Sequence, residues 1–162
     1  MTAQRRFPRD LDALQALFRF TAETLGSEGG EGGEGGDGGD GALLPTIDLV
    51  LEELFTNVVK YGVGATPLLV EIAPVEGGVE VSLTDFDAEP FDVTRAPPVD
   101  VTLPAESRRP GGLGLHLIRK LVDSIEYRHS SQDRCSRITF CKKRAVVPAG
   151  ARSETGQTNA GD

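Results

Sequence analysis

Leu11, Leu14, Leu17, Phe18, Thr21 and Leu25 recur at helical spacing and predict an amphipathic helix over residues 10–25. A second, stronger pattern covers PTIDLVLEELFTNVVKYG, residues 45–62. There Ile47, Val50, Leu51, Leu54 and Val58 stand at i, i+3, i+4, i+7 and i+11, with Pro45 near the start and Gly62 at the end as helix punctuation. The period then changes to two. Leu68 to Ala73 is largely apolar, Val79, Val81 and Leu83 alternate with polar residues, and Glu76-Gly77-Gly78 supplies the turn of a hairpin. Residues 85–111 break every period and hold five of the ten prolines, which predicts a long loop, because proline fixes φ and has no N–H to donate. A helix resumes after Gly112, with Leu117, Ile118, Leu121 and Val122 on one face. Ile125-Tyr127-His129, a turn at Ser131-Gln132-Asp133, and Ile138-Phe140 form a second hairpin. The predicted order is helix, helix, two strands, long loop, helix, two strands. Hairpins accompanied by helices predict an α+β fold, with helices on one face of a mixed or antiparallel sheet.

Two stretches stand outside this pattern. Residues 26–41, GSEGGEGGEGGDGGDG, hold ten of the 20 glycines and five of the 25 acids. Ordering that much glycine is entropically costly and the acids repel one another, so a flexible insertion between two helices is expected. Residues 148–162 have no apolar period and read as a disordered tail, leaving a single domain over 5–143. The net charge of −8 falls to −3 once the five acids of the insertion are set aside. An acidic chain repels nucleic-acid phosphate, which argues against a nucleic-acid partner. No apolar run reaches the roughly 18 residues that span a bilayer, and no apolar segment follows Arg5-Arg6 as it would in a signal peptide. The reading is a cytoplasmic protein without a membrane partner. Cys135 and Cys141 sit six apart in one strand, about 20 Å at ~3.3 Å per residue, too far to bridge.

Three features can carry chemistry. Glu53 and Asn57 are four apart on the second helix and so share a face, one turn apart. A carboxylate and an amide oxygen so placed can hold a hydrated Mg²⁺ beside a nucleophile, although an ordinary solvent-facing helix surface offers the same pair. Asp85 ends a strand and can accept hydrogen bonds from an exocyclic amine such as that of adenine, or simply cap a turn. Gly111-Gly112-Leu113-Gly114-Leu115 opens the third helix, whose unpaired N–H groups and dipole suit phosphate, and Arg108 and Arg109 precede it. A glycine-rich turn into a helix is the plainer reading of that segment.

The order of these features is more specific than any one of them. An E-x-x-x-N helix, a strand ending in Asp, a long loop and a G-x-G helix start resemble the ground plan of the GHKL superfamily of histidine kinase and Hsp90-like ATPases. Within it, L-E-E-L-F-T-N-V-V-K-Y (51–61), L-T-D-F-D-A-E-P-F-D (83–92) and R-R-P-G-G-L-G-L-H-L-I-R-K-L-V-D (108–123) are most similar to the anti-sigma-factor serine/threonine kinases of bacterial partner-switching systems. The resemblance implies a Bergerat-type two-layer α/β sandwich with a mixed, mainly antiparallel sheet. It implies ATP and Mg²⁺ as cofactors, and Glu53 as the catalytic residue that orients or deprotonates the substrate hydroxyl. Asn57 would be the metal ligand, and Asp85 would meet adenine. Gly112, Leu113, Gly114 and Leu115 would meet phosphate, residues 93–111 would form a lid, and Arg109 (or its neighbour Arg108) would reach the γ-phosphate. The implied partners are a STAS-type anti-anti-sigma substrate, a rival sigma factor or other regulator, and a second copy of the chain, with Phe20 as the contact if it is exposed. One departure stands out: Asp87 occupies a place where the superfamily usually has Gly, and the expectation is that it faces solvent. A catalytically silent GHKL binding module is the alternative. A two-component histidine kinase would need a phospho-acceptor histidine on a separate dimerising hairpin, whereas His116 and His129 fall in a helix and a strand.

Overall fold

The computed structural model describes residues 1–26, 40–90, 92 and 112–145. Nearly all of the glycine/acid insertion, the loop over 93–111 with Arg108, Arg109 and Gly111, and the tail over 148–162 lie outside the described residues.

Five strands form one antiparallel sheet: β1 (Ala3–Phe7), β2 (Leu68–Val75), β3 (Gly78–Phe86), β4 (Ser124–Ser130) and β5 (Cys135–Lys143), in the spatial order β1-β2-β3-β5-β4. The expected α+β architecture with helices on one sheet face is present, and among the described residues the sheet is antiparallel throughout rather than mixed. Helices α1 (Leu14–Gly26), α2 (Leu44–Tyr61) and α3 (Gly112–Leu121) cover that face. β1 is an addition to the predicted order. Its inward positions by register are Ala3, Arg5 and Phe7, opposite Ile72, Val70 and Leu68, so a charged residue interrupts the apolar alternation that marks a strand. Arg5 is tolerated there because its guanidinium lies 4.8 Å from the Phe20 ring centre and meets Glu23 at 3.4 Å.

The strongest sequence pattern becomes the centre of the core. Ile47, Val50, Leu51, Leu54 and Phe55 of α2 are fully buried, against Val70, Val81, Leu83 and Phe140 of the sheet. Pro45 sits in the first turn, and the Gly62 N–H donates to the Val58 carbonyl at 2.9 Å to end the helix. α1 starts later than the periodicity predicts, because Asp10 caps a short 3-10 turn over Leu11–Ala13 and leaves Leu11 exposed. Phe7 and Phe20 meet ring to ring in the core at 5.8 Å, so Phe20 is not available as a dimer contact. A polar link joins α1 to α2. The Thr21 hydroxyl lies 2.5 Å from Asp48 Oδ1 and 2.8 Å from the Phe18 carbonyl, and it has one proton for the two. Burial pushes the Asp48 pKa up against the opposing effect of the Thr21 bond, with the Glu52 charge adding to the rise.

The outer sheet face is polar. Arg137 donates to Thr84 Oγ1 at 3.0 Å and pairs with Glu71, while Arg6 stacks 4.7 Å over Phe86. Cys135 and Cys141 occupy the two ends of this face on β5 as free thiols, each raised in pKa mainly by burial.

One predicted orientation is wrong. Leu117 was expected on the buried face of α3 but is 41% exposed, and Leu115 with Ile118 takes the inner position. The apolar stripe of a short helix with leucines at 113, 115, 117 and 121 is ambiguous until its partner is placed. Leu115→Ala should therefore cost about 3 kcal/mol and Leu117→Ala less than about 1 kcal/mol in urea denaturation. Equal losses would contradict this orientation.

Candidate functional site

The apolar face of α2 fixes where its other residues point. With Leu51, Leu54 and Val58 in the core, Glu53 is half-buried and Asn57 lies buried one turn further on. α3 begins directly against this pair. A Cβ built on Gly114 would come 2.6 Å from Glu53 Cδ and closer still to Oε2, so the first turn of α3 lies directly against the Glu53 carboxylate, which a larger residue at 114 would push aside. The free N–H groups and positive dipole end of a helix start are thus next to Glu53 and one turn from Asn57. Leu115 turns its side chain into the core, which leaves only its backbone for a ligand. The Gly112 backbone starts the helix, and the Leu113 side chain lies outside the described residues.

Asp85 lies further along α2, near the end of β3, with an 8% exposed side chain. With Val58, Leu83, Glu89, Tyr127, Ser136 and Ile138 it lines a cavity with room for about one water molecule. The sequence signal for Asp85 was its place at a strand end. Its neighbours had no such signal. Ser136, directly opposite on β5, is buried and lies 2.9 Å from His129 Nδ1 and 3.1 Å from the Tyr127 hydroxyl. Arg9, at the exit of β1, pairs with Asp85 Oδ1 through Nη2 and donates from Nη1 to the Val58 carbonyl at 3.1 Å. Its Nε is buried with no hydrogen-bond partner among the described residues. Gly62 and Gly64 line the slot, where added Cβ atoms would stand 2.9 and 2.8 Å from the two terminal nitrogens. Arg9 could not be found from the sequence, because 76 residues separate it from Asp85.

Asp87 faces solvent, as the sequence reading expected, and pairs with Arg134 Nε at 3.0 Å. Its φ of 54° lies in the left-handed region that favours glycine, because the chain must turn left-handed after β3. Asp is among the few other residues that enter that region readily. The Ala88 N–H donates to the Arg134 carbonyl at 2.8 Å and holds the turn against the β4–β5 hairpin.

Burial pushes the Asp85 pKa up. The Arg9 charge and hydrogen bond oppose this without cancelling it, and Asp87 adds a small further rise. For metal, no group of three or more His, Cys, Asp or Glu side chains occurs among the described residues. The oxygen donors of Glu53 and Asn57 suit a Mg²⁺ ion that arrives with phosphate and water ligands, and they do not make a protein-only cage.

A two-layer sandwich whose central helix sets a carboxylate and an amide against a glycine-opened helix start, with an aspartate at a strand end nearby, has the architecture of a GHKL-type ATP-binding domain. The family model for the histidine kinase-like ATPase domain matches residues 7–142, and the chain belongs to that family. No curated protein matches the chain. Membership implies ATP binding, and no helix among the described residues is long and apolar enough to cross a membrane.

Two outcomes test this geometry without nucleotide. Gly114→Ala should change stability by less than about 1 kcal/mol, because the Glu53 carboxylate it meets ends a flexible, half-buried side chain that can swing aside, and a double-mutant cycle with Glu53→Ala should still show the two positions coupled. Arg9→Ala should cost about 3 kcal/mol at neutral pH by leaving Asp85 buried without its partner. The sign with pH follows from the raised Asp85 pKa. The native state holds that proton more tightly than the unfolded chain, so ionising Asp85 lowers stability as pH rises above about 3.8. Removing Arg9 raises the pKa further, so the loss should be small below that pH and grow toward neutrality in denaturation curves.

Proposed function

We propose that the chain is an ATP-dependent serine/threonine protein kinase and anti-sigma factor that phosphorylates a STAS-type anti-anti-sigma protein. The observation that carries this reading is the close seat of the Glu53 carboxylate against the first turn of α3, one helical turn from Asn57. Phosphoryl transfer depends on positioning and charge neutralisation more than on covalent chemistry. Asn57 would hold Mg²⁺, which when bound neutralises charge on the ATP phosphates. The α3 N–H groups at Gly112, Leu113 and Gly114 would bind phosphate, with Arg109 adding charge. Asp85 would accept from the adenine amine. Glu53 would accept the proton of the incoming Ser or Thr hydroxyl as its oxygen bonds to phosphorus and ADP departs. A sigma factor or other regulator competing with the STAS protein would make the outcome a population shift between two complexes.

A catalytically silent module is the second reading, and two observations favour it: Asp85 is engaged by Arg9, and Asp87 replaces the usual glycine. The deciding experiment is calorimetry of ATP with and without Mg²⁺, followed by transfer of labelled phosphate to a candidate STAS protein. Binding that needs Mg²⁺ and is weakened at least tenfold by Asn57→Ala, with transfer abolished by Glu53→Ala, supports the kinase. Binding without transfer to any STAS protein encoded beside it supports the silent module.

A further inference from the structure

The Arg9 side chain occupies the position where the reading above needs a base to bind. An exocyclic amine would bond the Asp85 carboxylate, and the Arg9 guanidinium already holds its Oδ1. The cavity that the described residues leave beside Asp85 accommodates little more than a water, whereas ligand sites for molecules of nucleotide size run to several hundred Å³. The guanidinium is not a surface side chain that has drifted inward. It is 8% exposed, bonds the Val58 carbonyl at the end of α2, and lies in a slot cut by Gly62 and Gly64. Its buried Nε–H has no acceptor among the described residues. A guanidinium seated by Asp85, the Val58 carbonyl and two glycines fills a slot shaped for it.

We propose that Arg9 plugs the base subsite of the free protein, and that an adenine nucleotide binds by displacing its guanidinium from Asp85. This rests on the assignment of Asp85 to adenine. The base's amine replaces one N–H donor with another at the same carboxylate, while the flexible Arg9 stem swings clear of a backbone that the Asp10 N–H to Pro8 carbonyl bond at 2.8 Å keeps in place. Apparent affinity is then reduced by the fraction of molecules in which the subsite is open. Arg9 is thus an affinity-determining residue that touches no phosphate and takes no part in transfer.

The test is calorimetric titration of Mg²⁺–ADP into the full chain, the Arg9→Ala variant and the Gly64→Ala variant, each checked for a cooperative melt. Gly64 has no left-handed φ, so an alanine there is compatible with the backbone and its methyl crowds the Arg9 Nη2 out of the slot. Arg9→Ala should bind about tenfold tighter or better than the wild type, with Gly64→Ala shifting in the same direction. If Arg9→Ala does not fold, Gly64→Ala carries the comparison alone. A second readout follows the buried Arg9 Nε–H by ¹⁵N-resolved NMR, where saturation with ADP should move it to the position of a solvent-exposed arginine. Equal or weaker binding by the variants, with an unmoved Nε–H signal, overturns the plug and leaves ATP binding intact. No binding by any of the three proteins overturns both the plug and the assignment of Asp85 to adenine.

Discussion

The burial of one face of α2 against the sheet governs everything else in this molecule. Ile47, Val50, Leu51, Leu54 and Phe55 are fully removed from water, and at roughly 1.5–3 kcal/mol for each large apolar side chain their burial is among the largest stabilising contributions of any element. A helix held on one face has no freedom to rotate about its axis. Glu53 and Asn57 are therefore fixed in direction by residues that never meet a ligand. The same burial places the Val58 carbonyl beside the Asp85 end of β3, and the glycine at 114 lets α3 close on Glu53. Core and site are two faces of one helix, so the position of the chemistry follows from packing.

The legible parts of the fold are those whose signal is local. α2 appears within one residue of its predicted start and end because apolar period, Pro45 and Gly62 agree. Both hairpins were readable for the same reason. β1 was not, since its inward Arg5 is acceptable only once Phe20 and Glu23 are beside it. Leu117 was misplaced because a helix of ten residues rich in leucine does not say which stripe faces inward. The candidate site divides in the same way. Glu53, Asn57, Asp85 and Gly114 could be picked out because each belongs to a short motif. Arg9 and Ser136 meet Asp85 only through the pairing of β1 with β2 and of β3 with β5, and nothing near them in sequence marks that meeting.

Charge around the site is matched locally. Asp85 faces Arg9, Asp87 faces Arg134, and Glu53 faces the positive end of α3. Asp87 would be a serious obstacle if it pointed inward, since a second carboxylate beside Asp85 would repel a polyphosphate. Its left-handed backbone conformation directs it instead to Arg134 on the hairpin turn, where the pair is exposed and contributes little to stability. An aspartate at this turn thus bears on the cost of the turn more than on the charge of the cleft.

That balance has a consequence for any anionic ligand. A nucleotide enters carrying several negative charges, and the buried Arg9 guanidinium beside the pocket is already committed to Asp85. If the base takes over that carboxylate, its uncharged amine leaves Asp85 without a countercharge, and burial, which already raises the Asp85 pKa, would raise it further. Two features offset this. The released guanidinium belongs to a long side chain rooted at the rim of the same pocket, and it keeps its positive charge wherever it settles. Under the proposed assignment, the α3 dipole and a hydrated cation on the Glu53–Asn57 face would act at the phosphate end, a separate part of the site. Base recognition and phosphate neutralisation would then be separable demands, met at opposite ends of the site face of α2. Arg9 bears on the first and Asn57 on the second, so a substitution at one should change affinity without changing the metal dependence set by the other.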